Sequence, residues 1–320
     1  MAFQNRVWER GKTGLVLAIL VLAMSGANAA SGTRDEIEQS FHVRPNGVLK
    51  IEADLGNVEI TTSDSDTVRI EFVREFKVPT LQEANALRQK VQVEMGQHDD
   101  TTSGQNSVNL NVRYTGSRRG HESNKVRLDF RIAMPRKFNL EMRTVGSAKV
   151  GDIDGWAKVK VDGGSLHMGK VKERISARAN GGSFSAGDVG ELDAEARGGS
   201  VSVVRVNGKA RVVAEGGSVS ISEAGDSIDA RAAGGSVAAY ISKQPASDCR
   251  LVAEAGNVDL KLPATIAVSL NAECSAGSIH SDFSVAGIVH TGETRIKGDI
   301  NGGGPTILVR ASAGNINLRK

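Results

Sequence analysis

From about residue 146 onward, apolar and polar positions recur with a period of 17 or 18 residues. The marker is Gly-Gly-Ser, at Gly163-Gly164-Ser165, Gly181-Gly182-Ser183, Gly198-Gly199-Ser200, Gly216-Gly217-Ser218 and Gly234-Gly235-Ser236. Looser copies are Val145-Gly146-Ser147, Ala255-Gly256-Asn257, Ala276-Gly277-Ser278 and Ala313-Gly314-Asn315, with an outlier at Leu55-Gly56-Asn57. Alignment on the second Gly turns the chain into columns. Three positions before it stand Val161, Ala179, Ala196, Ala214, Ala232, Ala253, Cys274 and Ala311. The columns five and seven before, and two after, are equally apolar, and the positions between are mostly polar. Alternation of this kind marks strands with one buried face.

The inward positions change parity across each Gly pair, which a tight corner produces and Gly permits. A third inward position follows at Ile153, Val171, Val189, Val206 and Ala224. Each repeat therefore holds three short inward-facing segments and cannot bury them alone, so repeats must stack. The expected fold is all-β: a right-handed parallel β-solenoid of about 18-residue rungs. The small inner columns fit so thin a coil, and they account for a chain with only 4% aromatic residues.

Residues before 146 are less regular. Val48–Ile51, Val58–Ile60, Val68–Val73, Val91–Met95, Val108–Val112 and Val126–Ile132 read as strands. Thr80-Leu81-Gln82-Glu83 is a capping box that opens one short helix, running to about Lys90. The polar stretch 97–107 reads as the long loop of a hairpin. The predicted organisation is thus 1–29 as a leader, 30–145 as a strand-and-helix module capping the solenoid, and 146–320 as the repeats.

The leader follows from Arg6, Arg10 and Lys12, the apolar run Leu15–Met24, and the small-x-small site Ala27-Asn28-Ala29. The run is about half the roughly 20 residues a membrane span needs, so a cleaved signal peptide is expected, with no membrane span in the mature chain. Localisation is then periplasm or cell surface. The leader also removes Glu9, so a net charge of +3 falls to +1. No electrostatic case for nucleic acid remains. Glycine supplies 37 of 320 residues, well above its usual share of roughly 7%, but without the period and proline of collagen.

Candidate chemistry is sparse. His42, His98, His121, His167, His280 and His290 show no metal-ligand spacing and read as surface side chains without partners. Cys249 and Cys274 fall on inward columns of what sequence order makes adjacent rungs, about 13 Å apart along the strand. That exceeds the roughly 7 Å reach of a disulfide, so two buried free thiols are expected. Gly302-Gly303-Gly304 lacks the Lys-Ser of a phosphate loop. Asp64 with Asp66, and Asp152 with Asp154, read as solvated turn carboxylates. Asp193, Arg211, Asp229 and Arg250 should lie side by side on successive rungs, their alternating sign disfavouring register slips. Ser165, Ser183, Ser200, Ser218 and Ser236 should form an outward column beside the corners. Their role is either corner hydrogen bonding or a regular hydroxyl face for a repetitive ligand.

Gly56-Asn57-Val58-Glu59-Ile60, the helix and hairpin of Ala84–Tyr114, Met134-Pro135-Arg136-Lys137-Phe138-Asn139-Leu140 and the closing Gly303–Ile316 stretch together resemble the bacterial "putative adhesin" family, exported β-solenoid domains of unknown function. The resemblance covers about residues 40–320. It implies an envelope location and an adhesive or scaffolding role, and it supplies no catalytic residues. The expected function is a non-enzymatic exported protein that binds an envelope glycan or protein, with no cofactor and no metal. The alternatives are an envelope-stress sensing accessory and a polysaccharide-active β-helix enzyme. Oligomeric state is left open.

Overall fold

The computed structural model describes residues 33–99, 105–116, 123–286 and 294–320. The expected leader, His121 and His290 lie outside them, as do residues 100–104 of the predicted 97–107 loop, whose flanks instead continue the strands on either side. The first part of the chain forms β1 (Arg34–His42), β2 (Val48–Ala53), β3 (Asn57–Ser63), β4 (Thr67–Phe76), α1 (Leu81–Lys90), β5 (Val91–Asp99), β6 (Asn106–Tyr114), β7 (Val126–Pro135) and β8 (Asn139–Val150). The repeats form β9 (Ala157–Met168), β10 (Val171–Asn180), β11 (Phe184–Ala196), β12 (Val201–Val206), β13 (Ala210–Ala214), β14 (Val219–Ala224), β15 (Ile228–Ala232), β16 (Val237–Ile241), β17 (Cys249–Ala253) and β18 (Val258–Lys261). The chain closes with β19 (Val268–Cys274), β20 (Ile279–Ser281), β21 (Arg295–Ile300), β22 (Thr306–Ala311) and β23 (Ile316–Arg319).

The protein is a β-solenoid, as the periodicity predicts, with one α-helix among the described residues. One wall stacks the segments before each Gly pair: β9, β10, β11, β13, β15 and β17 pair in parallel, residue on residue. A second wall stacks the segments after it, through β11, β12, β14, β16 and β18. The third is the narrow column Ile153, Val171, Val189, Val206, Ala224 and Ile241, all buried. A fourth inward column, Met168, Ala186, Val203, Ile221, Ala239 and Leu260, is buried on the second wall and completes the core.

The parallel stacking starts well before residue 146. β8 runs unbroken through that position, and β2 and β3 pair with it in parallel. The wall then ends in antiparallel strands: β5 on β6, and β1 on β4 on β7. The larger side chains gather here, where the coil is wide enough for the stacked rings of Phe72 and Phe130, 4.9 Å apart. α1 starts at the predicted cap, with the Thr80 hydroxyl accepting from the Glu83 N–H, and buries Ala84 and Leu87.

Asp35 ties these pieces together. Its carboxylate accepts from Arg74 of β4 at 2.7 Å and from Arg88 of α1 at 2.8 Å. Both guanidinium groups lie 5.4 Å from the centre of the Phe76 ring. Burial pushes the Asp35 carboxyl up, but hydrogen bonds from Arg88 and Arg74 outweigh it and hold the group below the usual carboxylate range. Asp35→Ala leaves the buried Arg74 without its anion and should cost about 2 kcal/mol in urea unfolding. A depressed folded pKa contributes stability above the unfolded value of about 3.9, lost as pH falls through the folded value. The gap between wild type and variant should therefore hold at neutral pH and close below about pH 4.

The far end departs from sequence order. β22 and β23 pair with β17 and β18 on one side and with β19 and β20 on the other. The last rung in sequence is thus an inner rung in space. β21 lies antiparallel on the outside of β19, and the turn Asn301–Gly304 carries the chain back across to β22. Asn301 and the glycines Gly302 and Gly303 all take positive φ there. The Asn301 amide fixes the turn by donating to the Ala264 and Ile266 carbonyls, both at 2.8 Å.

This corrects the expectation for the thiols. Cys249 lies opposite Ile307 and Cys274 opposite Ala311, so a whole rung separates them. Both are buried and free, and burial raises both thiols above their ordinary pKa.

Candidate functional site

The five predicted serines do stack in one column, and each hydroxyl has work to do at its corner. The Oγ of Ser165 accepts from the backbone N–H of Ser183 at 3.2 Å. Ser183 accepts from Ser200, Ser200 from Ser218, Ser218 from Ser236, and Ser236 from Asn257, all at 3.1 Å. Asn side chains continue the ladder at both ends. Asn57 accepts from Ser147 at 3.0 Å, Asn257 from Asn315 at 2.8 Å, and Asn315 from Ser278 at 2.9 Å. The Gly corner interrupts the backbone ladder, and the side-chain oxygen takes the N–H left over. Ser or Asn therefore follows each Gly pair for a local reason.

With its acceptor side used, each Ser keeps a hydroxyl hydrogen as donor. Two residues further along, on the same outward face, stand Ser185, Ser202 and Ser220, in register on successive rungs. Sequence reasoning did not single out this second column, although Ser-x-Ser repeats at three consecutive rungs.

Towards the N-terminal end the two columns border a shallow trough of about 510 Å³, with Ser165, Ser183, Ser185, His167, Lys149 and Arg131 along it. His167 was expected to stand alone. Its Nδ1 instead lies 2.7 Å from the Ser185 Oγ, because rung stacking sets position 167 beside 185. His280 likewise sits 3.6 Å from Asp282, and His42 sits 3.9 Å from Asp66. The trough's cations are neutralised: Lys149 pairs with Glu59 at 3.2 Å and Arg131 with Glu71 at 3.1 Å. Among the described residues no third, acidic partner orients His167 for proton transfer, and the pair reads as a hydrogen bond across rungs.

The other wall carries the alternating charges as expected. Asp193, Arg211, Asp229 and Arg250 lie side by side, with Arg211 3.1 Å from Asp193. Asp152 accepts from the Lys170 N–H at 2.8 Å, and Asp154 pairs with Lys172 at 3.2 Å. These carboxylates hold adjacent rungs together. Among the described residues no group of three or more His, Cys, Asp or Glu could hold a metal ion, and no helix is long and apolar enough to cross a membrane.

Stacked parallel rungs, glycine corners and an end of antiparallel strands define a β-solenoid domain with repetitive outer faces. The chain belongs to the Toastrack DUF4097 family, whose model matches residues 47–319. Comparison with curated proteins gives no match. Among solved structures, it is similar to a "putative adhesin" from Parabacteroides distasonis, at 9% identity over 89% of this chain and 97% of that one, with a TM-score of 0.46. A protein of the same description from Parabacteroides merdae gives 9% identity, 89% and 97% coverage, and 0.41. One from Bacteroides fragilis gives 12%, 89% and 96%, and 0.38. At these values the likenesses carry nothing about ligand or partner.

Proposed function

We propose that this protein is an exported, non-enzymatic component of the cell envelope that binds or scaffolds an envelope glycan or protein through its serine-bearing wall. One observation carries the reading: an outward hydroxyl recurs at every rung from Ser165 to Ser236, beside a second column at Ser185, Ser202 and Ser220. Rungs of a parallel sheet repeat at about 4.8 Å, so the wall offers donors on a fixed short pitch. A linear glycan, which repeats its own hydroxyls, suits such a surface better than a compact small molecule does. Export rests on the character of residues 1–29, and the binding wall belongs to the repeats from 146 onward, which residues 30–145 extend and finish with antiparallel strands.

The test is retention of the purified protein on insoluble envelope polysaccharides. Ser202 and Ser220 are exposed and have no structural hydrogen bond to lose. Ser202→Lys with Ser220→Lys should lower retention about tenfold, a loss of about 1.4 kcal/mol, while the melting temperature stays nearly unchanged. Cleavage of any of these glycans, abolished by a single substitution, would overturn the non-enzymatic reading.

A further inference from the structure

The core is closed along its length but not at its ends. Most of the half-buried apolar residues that pack on the core lie towards the ends of the stack. Ile37, Val93 and Met95 lie at the β1/β5 end, and Ile279, Val285 and Ile296 at the β20/β21 end. At the first end Leu81 of α1 is also 58% exposed. Among the described residues β1 pairs only with β4, β5 only with β6, and β20 only with β23. β21 pairs with β19, and on its other side the described residues supply one bridge, from Ala286 to Asp299.

The two ends match in direction. β5 is antiparallel to β6, and β21 is antiparallel to β19, whereas every pairing between β6 and β19 along that wall is parallel. β5 and β21 therefore point the same way. On the second wall, the two reversals from β1 through β4 to β7 cancel, so β1 points the same way as β20.

They also match column by column. Following the register along the first wall, Met95 heads the inward column that ends at Ile296. Glu94 heads the neighbouring outward column, which ends at Arg295. On the second wall Ile37 heads the inward column ending at Ile279, and Glu38 heads the outward column ending at His280. Neither Glu94 nor Arg295 has an ion-pair partner among the described residues. On the first end's two edge strands Asp35 pairs with Arg74 and Arg88, Glu38 with Arg69 and Asp99 with Arg44, which leaves Glu36 and Glu94 as the acidic side chains without an ion-pair partner among the described residues. β21 contributes Arg295 and Lys297 against Asp299.

We infer that the β20/β21 end of one copy of this chain docks on the β1/β5 end of another, head to tail. β21 then adds to β5 and β20 to β1 in parallel. Glu94 meets Arg295, and Ile296 and Ile279 cover Met95 and Ile37. The contact joins two different surfaces, so it propagates as an open chain. The paired edges are short, which makes the association weak and concentration-dependent. This proposal is independent of the glycan reading, though stacking would lengthen the repetitive wall.

The experiment is sedimentation velocity on the protein expressed from Ala30 onward, over a wide concentration range and at two salt concentrations. The expected result is a weight-average mass that climbs with concentration and falls with added salt. Glu94→Arg alone and Arg295→Glu alone should each raise the dissociation constant about tenfold or more, because like charges then face each other. Mixing the two single variants, or combining both changes in one chain, restores a matched pair and should restore assembly. Both side chains are exposed, and circular dichroism checks that the variants fold. If the charges on β1 and β5 only keep the edges apart, the wild type is monomeric throughout. That result, or assembly indifferent to both reversals, overturns the proposal.

Discussion

Deleting residues 302–320 is expected to unfold the far end of the solenoid, not to shorten it by one rung. The deleted segment is β22 and β23, which lie between β17/β18 and β19/β20. It carries Ile307, Val309, Ile316 and Leu318, each fully buried. At about 1.5–3 kcal/mol per buried side chain, their loss alone is roughly 6–12 kcal/mol. The deletion also strips hydrogen-bonding partners from both neighbouring rungs. β19, β20 and β21 then have no template, because nothing else in the described residues pairs them to the stack. Solenoids unfold rung by rung, so the damage should stay local. Hydrogen exchange should show protection lost from residue 268 to 281 and weakened at β17 and β18, with β9–β14 unaffected. Normal protection over 268–281 in the truncated protein would mean that the permuted order is wrong.

The second large effect concerns the corners, where the first and the second glycine of the repeated motif should behave differently. A Cβ on Gly182 would sit 2.3 Å from the carbonyl oxygen of Gly164 on the rung below. That neighbour is backbone inside a ladder and has no rotamer to yield. Gly182→Ala should therefore force adjacent rungs apart and cost about 3 kcal/mol or more. A Cβ on Gly163 meets nothing within 4 Å, and the position is special only for its φ of +88°. Gly163→Ala should cost about 1–2 kcal/mol, the strain of a left-handed conformation for an L-residue. Urea midpoints of the two variants, measured side by side, give the ordering. Equal losses would mean that rung spacing does not constrain the second glycine.

The same corners explain why the serine column was legible but its meaning was not. Gly-Gly-Ser recurs so regularly that stacking of Ser165, Ser183, Ser200, Ser218 and Ser236 follows from counting. That each Oγ accepts the next rung's N–H depends on where the corner aims that hydroxyl, which only the fold decides. His167 gives a similar lesson. Its contact with Ser185 spans a full turn of the coil, a distance at which sequence carries no local signal. The cap was legible in pieces. The Thr80 capping box placed α1 correctly, because N-capping is a local hydrogen bond. β1 went unrecognised: its charged residues mask the alternation of Ile37, Gln39 and Phe41 on an edge strand.

What the sequence determined by itself is the repeating unit. Periodic small apolar columns need a partner above and below, and glycine permits the corners, so a stacked coil is the only economical way to bury them. What only the tertiary structure decided is the order of stacking and the state of the ends. The rungs at Ala255-Gly256-Asn257, Ala276-Gly277-Ser278 and Ala313-Gly314-Asn315 present nearly equivalent columns, so any of them fits on any other. A periodic pattern is blind to such a permutation. The one trace it left is the interval of 37 residues from Gly277 to Gly314, about two periods, within which β21 reverses direction and the chain crosses back. Which rung lies inside is settled by the antiparallel pairing of β21 and the turn at Asn301. These are contacts between segments whose separation along the chain says nothing about their adjacency in space.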